Sequence, residues 1–155
     1  MRKLKQNRGF TLIEILIVIG IIAILAAIVI VAINPARQFA QANNAQRSSN
    51  VNSILNAIHQ YAIDNKGTLP SNITTTATEI CIGGTATTTC TSSSLIPLNE
   101  LIWGETYLVS IPLDPGCTSA CATNGIGYTV MKSANGRVTV AAPDAEIGET
   151  ISVTR

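Results

Sequence analysis

The sequence predicts an α+β protein in which a long N-terminal α-helix packs against a small C-terminal antiparallel β-sheet. Two observations predict the helix: residues 10–33 are almost uninterruptedly apolar, and residues 34–66 continue with an amphipathic pattern. The sheet is predicted by two alternating apolar runs on either side of Asn135-Gly136, because Asn-Gly is a strong β-hairpin signal.

The apolar half of the helix, residues 10–33, contains one charged residue, Glu14. At 1.5 Å per residue it would extend about 36 Å, enough to cross a hydrocarbon core of roughly 30 Å. Residues 1–9 are polar and basic, so we expect a leader that stays in the cytoplasm while the chain after residue 33 is exported. The basic residues of this leader are Arg2, Lys3, Lys5 and Arg8.

The second half of the helix, residues 34–66, has apolar side chains on one face only, at the spacing of a 3.6-residue period. These side chains are Val51, Ile54, Leu55, Ile58, Tyr61 and Ala62. Gly67 is predicted as the left-handed cap, with Pro70 beyond it. A small head can cover this face but not the apolar half as well, so residues 10–33 must be buried in lipid or against copies of the same helix.

Residues 67–155 are predicted to form the globular head. Ser and Thr dominate residues 71–94, which indicates an exposed loop with room for short strands. Further on, Trp103 and Tyr107 are expected in the core. The predicted hairpin joins residues 127–132 to residues 137–142, and residues 150–154 could add a third strand.

Four cysteines, Cys81, Cys90, Cys117 and Cys121, lie in the part of the chain that we expect to be exported. An even number of cysteines in an oxidising compartment predicts two disulfides. Three pairings are open, and we favour Cys81–Cys90 with Cys117–Cys121 because each closes a short loop. A zinc site is disfavoured, since no paired Cys-x-x-Cys spacing is present.

The position of Glu14 distinguishes three interpretations of the N-terminus. A secretory signal has a shorter apolar core, and a plain signal anchor leaves a carboxylate in the apolar helix without a partner. If the leader is instead cut between Gly9 and Phe10, a new α-amino group appears one helical turn before Glu14. The amine of one subunit could then pair with Glu14 of the next and set the register of an assembly.

These residues resemble the signature of type IV prepilins: a basic leader, Gly9, Phe10, Thr11-Leu12-Ile13-Glu14 and a long aliphatic run. The resemblance implies that a prepilin peptidase cleaves after Gly9 and N-methylates Phe10, and that Glu14 aids assembly. It also implies an inner-membrane precursor, an ATPase-driven assembly platform and an extracellular pilus of identical subunits.

The chain departs from many members of that family in one respect. They carry a proline within the apolar run, where the helix loosens in the filament, and this chain has none. Gly20 or the Asn34-Pro35 step could take that role.

Enzymatic activity and cofactor binding are not predicted. His59 is the single histidine and has no neighbouring nucleophile, so we interpret it as a packed helix residue. Four acidic residues of the head fit no calcium loop and are interpreted as solvated; they are Asp114, Asp144, Glu146 and Glu149. Basic residues after residue 33 are scattered, which disfavours nucleic-acid binding by the monomer.

Three functions remain open from the sequence. The first is a type IV pilus subunit serving adhesion, motility or DNA uptake. The second is a pseudopilin of a type II secretion system, and the third is a monomeric, membrane-anchored binding domain.

Overall fold

The computed structural model describes residues 9–81, 90, 94–117 and 124–155. The chain divides between Gln38 and Phe39 into an N-terminal unit and a head unit. Helices, the antiparallel sheet and their order along the chain confirm the predicted α+β class.

Helix α1 (Leu12–Ile33) is built almost entirely from apolar side chains, and none of its residues is buried. The helix is long and apolar enough to cross a membrane. Gly20 lies inside α1 without interrupting it. The large aliphatic surface that α1 exposes is the main unsatisfied feature of the N-terminal unit, because apolar area in water is unfavourable.

The predicted long helix is interrupted at Asn34, which adopts a left-handed conformation with φ 48°. Pro35 explains the position of the break, because a proline disfavours the α region for the residue before it and lacks a backbone N–H. Asn34 also begins the next helix: its side-chain Oδ1 accepts a hydrogen bond from the Arg37 N–H at 3.4 Å. In the single subunit the helix therefore breaks at the Asn34-Pro35 step, and the site at which it loosens in a filament stays a prediction.

Helix α2 (Pro35–Asp64) carries the predicted apolar stripe into the core of the head. Val51, Ile54 and Ile58 on this stripe are fully buried. The helix ends at Asp64, and Gly67 adopts the predicted left-handed conformation with φ 86°. Its N–H donates to the carbonyl of Ala62 at 2.7 Å, which satisfies one of the last carbonyls of the helix.

The sheet has four antiparallel strands in the order β1-β2-β3-β4. Their bounds are β1 Thr78–Cys81, β2 Gly125–Lys132, β3 Val138–Ala142 and β4 Ile151–Thr154. The turn between β2 and β3 includes Gly136, with φ 81°, and closes through a 2.7 Å hydrogen bond from the Ser133 N–H to the Arg137 carbonyl. The Asn-Gly hairpin and the third strand after it are present as predicted.

The Ser/Thr-rich segment contributes β1, and residues 82–89 and 91–93 of it lie outside the described part of the chain. Beyond it, Ile96 forms a parallel bridge with Ile80 of β1. A short helix α3 (Asn99–Ile102) and a 3₁₀ turn (Trp103–Glu105) follow. Ile96 therefore lies next to β1 at the edge of the sheet.

The core of the head is formed by side chains of α2 and the sheet together with Leu98 and Leu101. The expectation that Trp103 is a core residue is wrong, since its side chain is 82% exposed. Leu101 is fully buried, and residues two apart in a helical turn point about 200° apart. Tyr107 is half-buried and packs against the core from outside.

Candidate functional site

The first turn of α1 contains a reciprocal hydrogen-bond arrangement between Thr11 and Glu14. The Thr11 side chain accepts a hydrogen bond from the Glu14 N–H at 3.3 Å. In return, Glu14 Oε2 accepts from the Thr11 N–H at 2.8 Å and from its hydroxyl at 2.9 Å. This capping box satisfies donors that a helix start leaves unpaired, and the carboxylate lies at the positive end of the helix dipole.

Both hydrogen bonds to the Glu14 carboxylate use Oε2. Among the described residues Oε1 has no hydrogen-bond donor, so it can accept from a donor outside the chain. Phe10 precedes the cap and is 84% exposed. At Gly9, an added Cβ would meet no atom within 4 Å. The packing of this chain therefore gives no reason for a glycine at position 9. The other positions of the predicted leader, 1–8, lie outside the described residues.

Within the head, Arg47 and Asp114 form a buried ion pair, each side chain being 2% exposed. Arg47 Nε donates to Asp114 Oδ2 at 2.7 Å, and Nη2 donates to Oδ1 at 3.0 Å. This two-pronged geometry matches the planar guanidinium to the planar carboxylate. Asp114 Oδ1 also accepts from the Gly116 N–H at 2.7 Å, so the pair fixes the 114–117 loop against α2.

The third nitrogen of Arg47, Nη1, donates to Glu146 Oε2 at 2.8 Å and to Asn44 Oδ1 at 3.0 Å. Asn44 in turn donates to the Glu146 carbonyl at 2.8 Å and to Glu149 Oε2 at 3.0 Å. The loop between β3 and β4 is thus tied to the same turn of α2. These contacts attach two loops that are distant in sequence to one face of the helix.

Hydrogen bonds and burial shift the pKa values of three residues in this part of the head, Arg47, Glu146 and Tyr128. Hydrogen bonding to Asp114 is the largest cause that raises the pKa of Arg47, so the guanidinium stays charged. Hydrogen bonds from Asn43 and then Arg47 lower the pKa of Glu146 below its ordinary value. Desolvation raises the pKa of the Tyr128 hydroxyl, which accepts a 2.8 Å hydrogen bond from Asn50.

These contacts correct two sequence interpretations. Asp114 and Glu146 are not simply solvated loop carboxylates, and Arg47 is not a scattered surface charge. One signal could have found Arg47: it lies four residues before Val51, on the helix face that the apolar stripe uses. Within the described residues, no group of three or more His, Cys, Asp or Glu side chains is placed to hold a metal ion.

Cys81 and Cys90 form a disulfide with their Cα atoms 5.8 Å apart, as predicted. The bond joins the end of β1 to the chain just before Leu95, whose N–H donates to the Cys90 carbonyl at 2.9 Å. Cys117 is also disulfide-bonded. Its predicted partner, Cys121, lies outside the described residues, so the second pairing stays a prediction.

His59 is half-buried on α2, and its Nε2 has no hydrogen-bond partner in the described part of the chain. Near the end of the same helix, an open groove of about 520 Å³ is lined by three aromatic side chains, Tyr61, Trp103 and Tyr107. The rings of Tyr61 and Tyr107 meet edge to face with centroids 5.7 Å apart. Sequence reasoning missed this groove because it forms between segments about 40 residues apart.

Comparison with known protein families gives a match for the N-terminal segment. Residues 4–30 match the family model described as the prokaryotic N-terminal methylation motif. The match includes residues 4–9 of the predicted leader, the Thr11–Glu14 cap and most of α1.

The chain is also similar to a known pilus component. Over 62 residues the chain is 44% identical to the type IV wide pilus major component PilA4 of Thermus thermophilus. Both findings confirm the resemblance to type IV prepilins that was read from the sequence. The match covers 40% of this chain, which spans a little under half of the relative, 46% of its length. No solved structure matches the chain.

Proposed function

We propose that this protein is a structural subunit of a type IV pilus, which polymerises through its N-terminal helix into a surface filament. The observation that carries the proposal is the complete exposure of α1, in which no residue is buried. Such a surface requires lipid before assembly and neighbouring helices afterwards. The same surface is poorly suited to a solitary, soluble protein.

The proposed life of the subunit begins as a precursor in the bacterial inner membrane, with the head outside the cytoplasm. Prepilin peptidase cuts between Gly9 and Phe10 and N-methylates Phe10, after which an assembly platform and its ATPase extract the subunit into the filament. The open surroundings of Gly9 support this role, because its lack of a side chain serves no contact in the chain itself. We therefore assign that requirement to the peptidase.

Glu14 has a specific part in this proposal. Its Oε2 caps the helix of its own subunit, and Oε1 is available for the new amine of Phe10 on a neighbouring subunit. In apolar surroundings a lone carboxylate is costly, and a charge pair offsets part of that cost. Pairing would therefore favour the one axial position at which amine and carboxylate meet.

The experiment is purification of sheared surface filaments from peptidase-positive cells, followed by mass spectrometry of the N-terminus. We expect filaments composed of this chain, beginning at N-methylated Phe10. A Gly9→Val variant is the matched control: it should insert into the membrane and keep its leader. Its head should fold normally, because position 9 is open.

Two other results would contradict the proposal. Filaments confined to the periplasm would favour the type II secretion pseudopilin. A chain that keeps Met1 and stays monomeric in peptidase-positive cells would favour the membrane-anchored binding domain.

A further inference from the structure

We propose that the Trp103 groove of one subunit binds the basic corner of a second subunit in the filament, with Arg137 entering the groove. The Trp103 groove is the open site lined by Tyr61, Trp103 and Tyr107. The basic corner is the end of the sheet that carries Lys132, Arg137 and Arg155. The inference rests on the proposed function, because it supplies a head-to-head contact within that filament.

The groove combines aromatic surface with two nearby carboxylates, Glu100 and Asp64. Glu100 lines it, and its Oε2 is buried without a hydrogen-bond partner in the described part of the chain. Asp64 lies beside it, accepting a 3.0 Å hydrogen bond from the Tyr107 hydroxyl. Neither carboxylate has an ion-pair partner among the described residues, where both ion pairs involve Arg47.

A buried carboxylate oxygen normally accepts a hydrogen bond. Glu100 Oε2 therefore lacks a donor in the isolated subunit. Trp103 adds a reason for a cation in particular. Its side chain is 82% exposed at the groove, and the face of an indole attracts a guanidinium or ammonium group. Exposed tryptophan and arginine are also the residue types that contribute most to protein–protein binding. An organic cation, above all arginine, therefore fits this groove.

The matching cations lie together around Val138 on the same head. Lys132 is paired with Val138 across the sheet, and Arg137 precedes it in the chain. Arg155 exchanges two backbone hydrogen bonds with Val138, at 2.7 and 3.0 Å. The side chains of Lys132 and Arg137 have no hydrogen bond or ion pair with any other described residue, whereas the Arg155 guanidinium donates to Asn56 at 2.8 Å.

The two patches cannot satisfy each other within one subunit, because they lie on different sides of the head. The segment that leads to Trp103 runs outside β1, whereas Arg155 extends β4, and β1 and β4 are opposite edges of the sheet. The contacts with helix α2 also place the two patches on different sides. Arg155 of the basic corner contacts Asn56, whereas Tyr107 of the groove contacts Tyr61. Residues five apart point about 140° apart around a helix.

Two different, complementary patches on opposite sides of one unit form a heterologous contact when copies meet. Such a contact does not close on itself unless the rotation closes, and it propagates as an open helical filament. The heads of neighbouring subunits would therefore add a directional, salt-sensitive contact to the packing of their N-terminal helices.

Charge reversal in full-length chains tests this contact. Glu100→Lys and Arg137→Glu should each lower the yield of sheared filaments about fivefold or more, and the double variant should return it to within about twofold. Lys66→Glu is the matched control, because it reverses an exposed cation next to the groove and should not lower the yield. Formation of the Cys81–Cys90 disulfide checks that each head is folded.

A second measurement avoids charge changes. A photoreactive benzophenone side chain at position 103 should crosslink to residues 133–137 of another subunit in filaments mixed from ¹⁴N- and ¹⁵N-labelled chains. If the double variant does not recover the filament yield, or if position 103 crosslinks only to residues other than 133–137, this interface is overturned and the pilus proposal still stands. Absence of filaments from the unmodified chain would overturn both proposals.

Discussion

Arg47 and Asp114 are 67 residues apart in the chain, yet their side chains meet in a buried ion pair through two hydrogen bonds. The pair joins α2 to the 114–117 loop, and Glu146 extends it to the loop before β4. A buried pair of this kind does not by itself stabilise the fold strongly, since both ions lose their hydration. Its effect is specific: breaking one side leaves the other charge buried.

The first prediction concerns this pair. Asp114→Ala should lower the free energy of unfolding by about 3–5 kcal/mol, because Arg47 then lies buried without its main partner. Urea unfolding of the full-length chain in detergent micelles, followed by near-UV circular dichroism, measures the change. Replacing both members, Arg47→Met with Asp114→Leu, should recover most of the loss. If the double variant loses as much unfolding free energy as Asp114→Ala, the unpaired Arg47 charge is not the cause of the loss.

The second prediction is a dependence of head stability on pH. The folded pKa of Glu146 lies below its ordinary value of 4.5. Its contribution is therefore complete above that value and is lost as the pH falls through the lowered folded pKa. The unfolding temperature should fall as the pH drops below about 4.5, and the fall should be smaller in Glu146→Gln. Identical acid profiles for the two chains would assign the acid sensitivity to other groups.

The third prediction concerns the Cys81–Cys90 disulfide, which closes a loop with a sequence separation of 9. The Cys81→Ala/Cys90→Ala variant should lose about 2–3 kcal/mol, because the unfolded chain regains the entropy of the open loop. Thermal unfolding of the variant and of the unmodified chain measures this loss of stability. Peptide mapping without reductant should also show Cys117 joined to Cys121, and any other partner for Cys117 would refute that pairing.

The fourth prediction separates two roles of Glu14. Glu14→Gln keeps a side-chain oxygen for the capping box and removes the charge, so membrane insertion should persist while filament yield falls about tenfold or more. Thr11→Ala is the complementary variant, since it removes the side-chain cap and keeps the carboxylate. Its helix should weaken by about 1 kcal/mol and its filaments should still form. Equal yields from Glu14→Gln and the unmodified chain would remove the role of the charge in assembly.

Local patterns in the sequence determined most of the fold. The long apolar run specified α1, the 3.6-residue stripe specified the buried face of α2, and Asn135-Gly136 specified the hairpin. The proposed cleavage and assembly residues, Gly9, Phe10 and Glu14, could also be predicted, because they lie close together in one short motif, residues 9–14. Each of these features depends on neighbours within a few residues, which the sequence displays directly.

Tertiary structure alone decided which charges and aromatic side chains are buried. Arg47 is buried because Asp114 and Glu146 reach it from distant loops, whereas Trp103 is exposed because Leu101 takes the inward position on the same turn. Burial of a charge depends on whether partners meet in space, and the sequence does not display that distance. The Trp103 groove likewise exists only where the end of α2 meets the segment after α3.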